Sequence, residues 1–206
     1  MKLSRPQRKM IFCTLMVIVT CVLWALGGKP WQWWALGAIF ASWLADGLLA
    51  KYPPVLGKIP HSFFIGAVWF AIAHVCYSAA SVMVLRSQGM PFHWRNFALL
   101  VLLFFATVFL HKLIFSRKSQ RSKGFAIAAT AYLAVVGIMA SLSFLAAAGT
   151  AWRAWCLPIG ACLFFISDCV LVVREYMRLK SKPINRLIMG TYLSGQLLLQ
   201  IGLWMC

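Results

Sequence analysis

Acidic side chains are nearly missing from this chain: three Asp and Glu stand against twenty Lys and Arg among 206 residues. Charge of either sign is scarce, at 11% of residues, where a soluble domain carries about a quarter. That scarcity excludes an ordinary water-exposed surface. The sequence also lacks any Cys-x-x-Cys pair and any Asn-x-Ser/Thr acceptor, the latter fitting a bacterial membrane. Its seven cysteines (Cys13, Cys21, Cys76, Cys156, Cys162, Cys169 and Cys206) therefore read as small buried packing residues, with neither a disulfide framework nor a metal site. No cofactor is expected. No linker is long enough to form a second domain, so residues 1–206 are expected to fold as one transmembrane helical domain.

Apolar residues fill the gap, at 63% of the chain. A spanning helix needs roughly 20 mostly apolar residues to cross about 30 Å of hydrocarbon. Seven stretches meet or approach that length: 10–26, 31–50, 62–85, 97–115, 125–148, 155–173 and 187–206. The expected fold class is an all-α integral membrane protein, a bundle of about seven transmembrane helices.

The net charge of +17 could suggest a nucleic-acid partner, but its distribution argues otherwise. With seven spans and the N-terminus inside, sixteen basic residues fall on the inner side and four, Lys29, Arg86, Arg95 and Arg153, on the outer side. This is the positive-inside pattern, and it predicts an N-in/C-out topology with no nucleic acid involved. The inner basic rim would attract anionic lipid head groups, at about 1 kcal/mol per residue near the surface. The first span resembles a signal peptide in its basic start and its small-residue step at Ala25-Leu26-Gly27. Its length favours retention. The expected location is a bacterial inner membrane, as a multi-pass protein. Trp31, Trp33, Trp34, Trp94, Trp152 and Trp155 border the loops and read as interfacial anchors.

Against this background the buried acids stand out. Glu175 is expected in an inner basic loop, but Asp46 and Asp168 lie within spans two and six. A carboxylate at span depth costs about 2.5–3.5 kcal/mol, which makes each a functional candidate. Counted from Lys51 and Arg174, they lie at about 7–8 Å and 9 Å from the inner boundary. Tyr192 is at about 9 Å, Gln196 at about 15 Å and His74 at roughly 18 Å, with Tyr77 and Ser78 on the face of His74. An interhelical polar pair is the structural alternative for the carboxyls, and helix–helix hydrogen bonding is that for His74 and Gln196. Tyr192 equally suits an aromatic belt. Asp46 precedes His74 by 28 residues and Asp168 precedes Gln196 by 28 residues, which hints at two related hairpins.

The residues Ala45-Asp46-Gly47-Leu48-Leu49, then Gly66, Phe70, His74 and Tyr77, then Gly160-Ala161-Cys162-Leu163-Phe164 leading to Ser167-Asp168 and Leu171, and finally Tyr192 with Gln196, form an ordered set on four spans. In order and spacing this set resembles the YhhN-like lysoplasmalogenases. The motifs cover residues 42–77 and 160–200, and the other spans match only as apolar helices. This chain has Ala45 where the family usually has Gly, and seven expected spans where its members usually have eight. The resemblance implies hydrolysis of the vinyl ether bond of a lysophospholipid substrate, giving a fatty aldehyde and a glycerophospho-base. It points to Asp46 and Asp168 as catalytic, with His74, Tyr77, Ser167, Tyr192 and Gln196 in support.

Vinyl ether hydrolysis begins with protonation of carbon and passes through an oxocarbenium ion that water attacks. It needs an acid still protonated at neutral pH and a carboxylate to stabilise the cation and activate water. A dyad of Asp46 and Asp168 would supply both, in an order the sequence leaves open. Two rivals share these residues: a transporter or channel using Asp46, Asp168 and His74 as a proton or cation relay, and a scaffold in which they only lock helices together.

Overall fold

The computed structural model describes residues 4–53, 58–89, 112, 123–148, 152–179 and 181–206, and every regular element among them is helical. The long helices are α1 (Arg5–Gly27), α2 (Gln32–Ala50), α3 (Ser62–Ser87), α4 (Lys123–Ala148), α5 (Cys156–Tyr176) and α6 (Lys182–Met205), with a 3₁₀ turn over Trp152–Trp155 leading into α5. All six are long and apolar enough to cross a membrane. The chain is a multi-pass membrane protein. The expected span 97–115 lies, except for Lys112, outside the described residues, as do Trp94, Lys2, Arg95, Arg117, Lys118, Arg121 and Lys180.

Three helix ends differ from the hydropathy reading for local reasons. α1 starts five residues early because Ser4 caps it: the Gln7 N–H reaches Ser4 Oγ at 3.4 Å and the Ser4 N–H reaches Gln7 Oε1 at 2.8 Å. α6 starts at Lys182 because Pro183 lies in its first turn, where a proline has no intrahelical donor to lose. α5 runs on to Tyr176, so Glu175 belongs to its last turn and not to a loop. There the Glu175 carboxylate pairs with Arg174 at 2.6 Å, and Arg174 also donates to Asn185 Oδ1 on α6 at 2.9 Å.

α2 closes on a left-handed residue, Lys51, with φ 53°. The Tyr52 N–H returns to Gly47 O at 3.0 Å and the Lys51 N–H to Leu48 O at 3.3 Å, the paired bonds of a Schellman ending. A basic residue thus ends the helix that carries Asp46.

The helices group into two compact units, residues 1–83 and 84–206, with the last turn of α3 in the second. In the first unit α1 packs on α2. Met10, Cys13, Met16 and Thr20 are buried, while Ile11, Leu15, Ile18 and Val22 are exposed. Both sets recur at helical spacing, and an apolar exposed stripe suits a helix whose outer face meets lipid. α2 turns small residues inward (Ala35, Ala38, Ala41, Ser42 and Ala45), which lets neighbouring backbones approach closely. α3 comes close to α2 at Gly66, where a methyl group would lie 3.3 Å from Ala45 O.

In the second unit α5 and α6 are the closest pair. A methyl at Gly160 would fall 2.6 Å from Leu199 N, and one at Gly195 would fall 2.9 Å from both Gly160 O and Phe164 N. At Gly202 it would collide with the Leu157 backbone. Three glycines therefore set the spacing of these helices, through direct backbone approach. On its other side α5 meets α4 through Ala129, Leu133 and Val172, against which Phe125, Tyr132 and Cys169 pack.

Two expectations about single residues are corrected. Trp31 is buried at the start of α2, with Lys29 Nζ 5.1 Å from its ring centroid, whereas Trp33, Trp34, Trp152 and Trp155 are exposed as anchors should be. Cys21 is exposed on α1, and Cys13 is buried with a polar partner, so packing alone describes neither.

Candidate functional site

The first unit holds its charge at Asp46, which is fully buried on the last third of α2. Both carboxylate oxygens face α1. Lys9 Nζ lies 2.5 Å from Oδ1, and the Cys13 thiol donates to Oδ2 at 3.0 Å. Lys9 and Cys13 are one turn apart, so they share a helical face. Lys9 remains 16% exposed, as expected of a lysine whose stem lies along apolar surface near a helix end.

One turn before Asp46, Ser42 is 1% exposed, and its Oγ has no hydrogen-bond partner among the described residues. His74 and Tyr77 are both fully buried on α3 in the same unit. The hydroxyls that follow them bond back along the helix, Ser78 Oγ to His74 O at 2.8 Å and Ser81 Oγ to Tyr77 O at 3.0 Å.

The second unit holds Asp168, 3% exposed on α5. Tyr132 of α4 donates its phenol to Asp168 Oδ2 at 2.6 Å, within the range of a well-formed O–H···O bond. Tyr132 is brought there by the packing of Leu133, Ala129 and Val172 on the α4–α5 seam. Ser167 is buried beside Asp168, but its hydroxyl donates to Ile188 O at 3.0 Å, which makes it a tether between α5 and α6. Tyr192 and Gln196 come together on α6, with Gln196 Nε2 donating to the Tyr192 oxygen at 3.3 Å. The Tyr192 ring stands edge-on to Phe164 at 5.1 Å.

All seven residues singled out in the sequence (Asp46, His74, Tyr77, Ser167, Asp168, Tyr192 and Gln196) are buried. Asp46, His74 and Tyr77 belong to the first unit; Ser167, Asp168, Tyr192 and Gln196 belong to the second. Sequence reasoning missed Lys9, Cys13 and Tyr132. Lys9 was absorbed into the inner rim, although its spacing from Cys13 places both on one face. Tyr132 carried a usable signal, since it lies nine residues into α4, about 13–14 Å along the helix and too far for an interfacial ring. Among the described residues, no three His, Cys, Asp or Glu side chains are grouped to hold a metal ion.

Comparison with curated proteins and with solved structures returns no match. The YhhN family model matches residues 7–203, a range that takes in both buried carboxylates, Lys9 and Tyr132, and the chain belongs to the YhhN family.

Proposed function

We propose that this membrane protein hydrolyses the vinyl ether bond of lysoplasmalogen, a chemistry found in its family, which includes lysoplasmalogenases. The observation that carries the reading is the setting of the two buried acids. Asp46 faces an ammonium and a thiol, and Asp168 faces a phenol. Two carboxyls in different electrostatic company are what a reaction with one acid and one anion requires.

In this scheme Asp46, opposite Lys9, is the anion. It stabilises the cation that develops at the ether carbon and takes a proton from the attacking water. Asp168 is the acid and delivers its proton to the distal vinyl carbon, with Tyr132 fixing its orientation. Water then bonds to the ether-bearing carbon, giving a hemiacetal. Collapse of the hemiacetal breaks the carbon–oxygen bond to glycerol, whose oxygen takes the proton held by Asp46, while the hemiacetal hydroxyl gives its proton to Asp168 and the aldehyde is released. His74, Tyr77, Tyr192 and Gln196 support the carboxyls and the substrate. The lipid phosphate is drawn to basic side chains such as Lys51, and anionic membrane lipids are attracted to the same rim.

The Lys9–Asp46 pair also ties α1 to α2, the contact a purely structural lock would make. Replacing each Asp by Asn separates the two readings, since Asn keeps size and hydrogen bonding but neither donates a proton to carbon nor carries charge. Purified Asp46→Asn and Asp168→Asn should each lose about 10²–10⁴ in turnover of a vinyl ether lysolipid while still accumulating in the membrane. Their losses should be strongly non-additive, because both carboxyls serve one reaction. Glu175→Gln, which alters a part-exposed pair at the end of α5, should be nearly silent. Wild-type turnover in both Asn variants would make the acids structural and favour the scaffold reading.

A further inference from the structure

Four buried hydroxyls in the described helices return to their own backbone, and that of Ser167 reaches the neighbouring helix at Ile188 O. Thr20 bonds to Met16 O, Ser81 to Tyr77 O, Ser141 to Gly137 O and Ser143 to Met139 O, all at 2.8–3.0 Å. Ser42 breaks the pattern. It is 1% exposed in the middle of α2, and its Oγ has no hydrogen-bond partner among the described residues, its own helix's carbonyls included. An unsatisfied buried hydroxyl is destabilising, and such groups in native proteins mark a bound water, a ligand or a catalytic role.

The position of Ser42 narrows the choice. It precedes Asp46 by one turn, so the two side chains share a face with about 5–6 Å between their Cβ atoms. That span suits one water molecule held by both, since a buried water needs two or more polar partners. Ser42 also lies about 6 Å farther than Asp46 from Lys51, the basic end of α2. A phospholipid with its phosphate at that end lays out glycerol first, then the ether oxygen, the vinyl carbons and the chain. Asp46 and Ser42 thus both lie deeper than the phosphate, on the side of the ether oxygen and the vinyl carbons.

From this we infer that Ser42 is a positioning residue that holds the attacking water against Asp46, aimed at the ether-bearing vinyl carbon. The inference rests on the vinyl ether reading above. Ser42 accepts one hydrogen of the water and Asp46 the other. As the new carbon–oxygen bond forms, the proton passes to the Asp46 carboxylate. Ser42 takes no part in the earlier protonation of carbon.

That division of labour has a chemical signature. A lysoplasmalogen carries a free glycerol hydroxyl beside the ether oxygen. If water is not in place, that hydroxyl attacks the oxocarbenium carbon and closes a five-membered cyclic acetal. The hydroxyl proton is lost to base, and the product is an isomer of the substrate. The ratio of cyclic acetal to free aldehyde therefore reports whether water is positioned.

The experiment incubates purified wild type, Ser42→Ala and Ser42→Thr with a vinyl ether lysolipid and separates aldehyde, cyclic acetal and remaining substrate by chromatography. The wild type should give aldehyde. Ser42→Ala should raise the acetal-to-aldehyde ratio about tenfold, as expected for losing one hydrogen bond to the nucleophile, with substrate consumption changed far less. Ser42→Thr keeps a hydroxyl and should restore the ratio toward wild type. An unchanged ratio in an active Ser42→Ala protein, or a fall in consumption at constant ratio, overturns the role of Ser42 and leaves the hydrolase reading standing. A wild type that forms no aldehyde from the vinyl ether overturns both.

Discussion

The phenol of Tyr132 on α4 donates to Oδ2 of Asp168 on α5 across 2.6 Å, beside the apolar cluster of Ala129, Leu133 and Val172. Tyr132→Phe keeps the ring there and removes only the donor. A hydrogen bond to a neutral carboxyl is worth about 0.5–1.5 kcal/mol. Vinyl ether turnover should fall roughly two- to tenfold on that basis, with melting in detergent little changed. A large drop in melting temperature with residual turnover intact would make Tyr132 a lock between helices and not a partner in the chemistry.

Lys9 and Asp46 should behave as a coupled pair. Removing one partner of a buried ion pair typically costs about 3–5 kcal/mol. Lys9→Met should therefore destabilise the protein by that order, measured by thermal or denaturant unfolding in detergent. Lys9→Met combined with Asp46→Asn should be much less destabilised than the two single changes added together. Simple additivity would contradict the contact between Lys9 and Asp46.

The glycines of the α5–α6 seam give a test of packing alone. Gly160→Ala places a methyl 2.6 Å from Leu199 N, and backbone cannot step aside as a side chain can. The expected loss is about 1–3 kcal/mol, the usual penalty of overpacking. Gly190→Ala, on α6 with nothing within 4 Å of the added methyl, serves as the control and should be neutral or slightly stabilising. Equal effects at both positions would mean that the seam does not depend on backbone approach.

Hydropathy made most of the fold legible, because a helix that must satisfy its backbone in lipid needs a long apolar run and little else. The same property hid the helix ends: the Ser4–Gln7 capping box and Pro183 are polar or neutral signals that a hydropathy window averages away. The candidate carboxyls were legible for the converse reason, since an acid inside an apolar run has no compositional excuse. Their partners were not. Tyr132 is 36 residues from Asp168, and Lys9 and Cys13 are 37 and 33 residues from Asp46, so only helix packing brings them together. Ser42 was invisible for a different reason. A serine among Ala, Leu and Trp is ordinary as composition, and only its missing backbone bond sets it apart.

The grip of α1 on Asp46 also bears on how the chain enters the bilayer. A carboxylate arriving alone in a nascent helix opposes partitioning into lipid by about 2.5–3.5 kcal/mol. α1 is synthesised before α2, so the Lys9 ammonium is already waiting near the end of the membrane where Asp46 comes to rest. Paired with it, Asp46 enters the bilayer as one half of an ion pair instead of as a lone anion. α1 thus serves as a built-in escort for the helix that follows it.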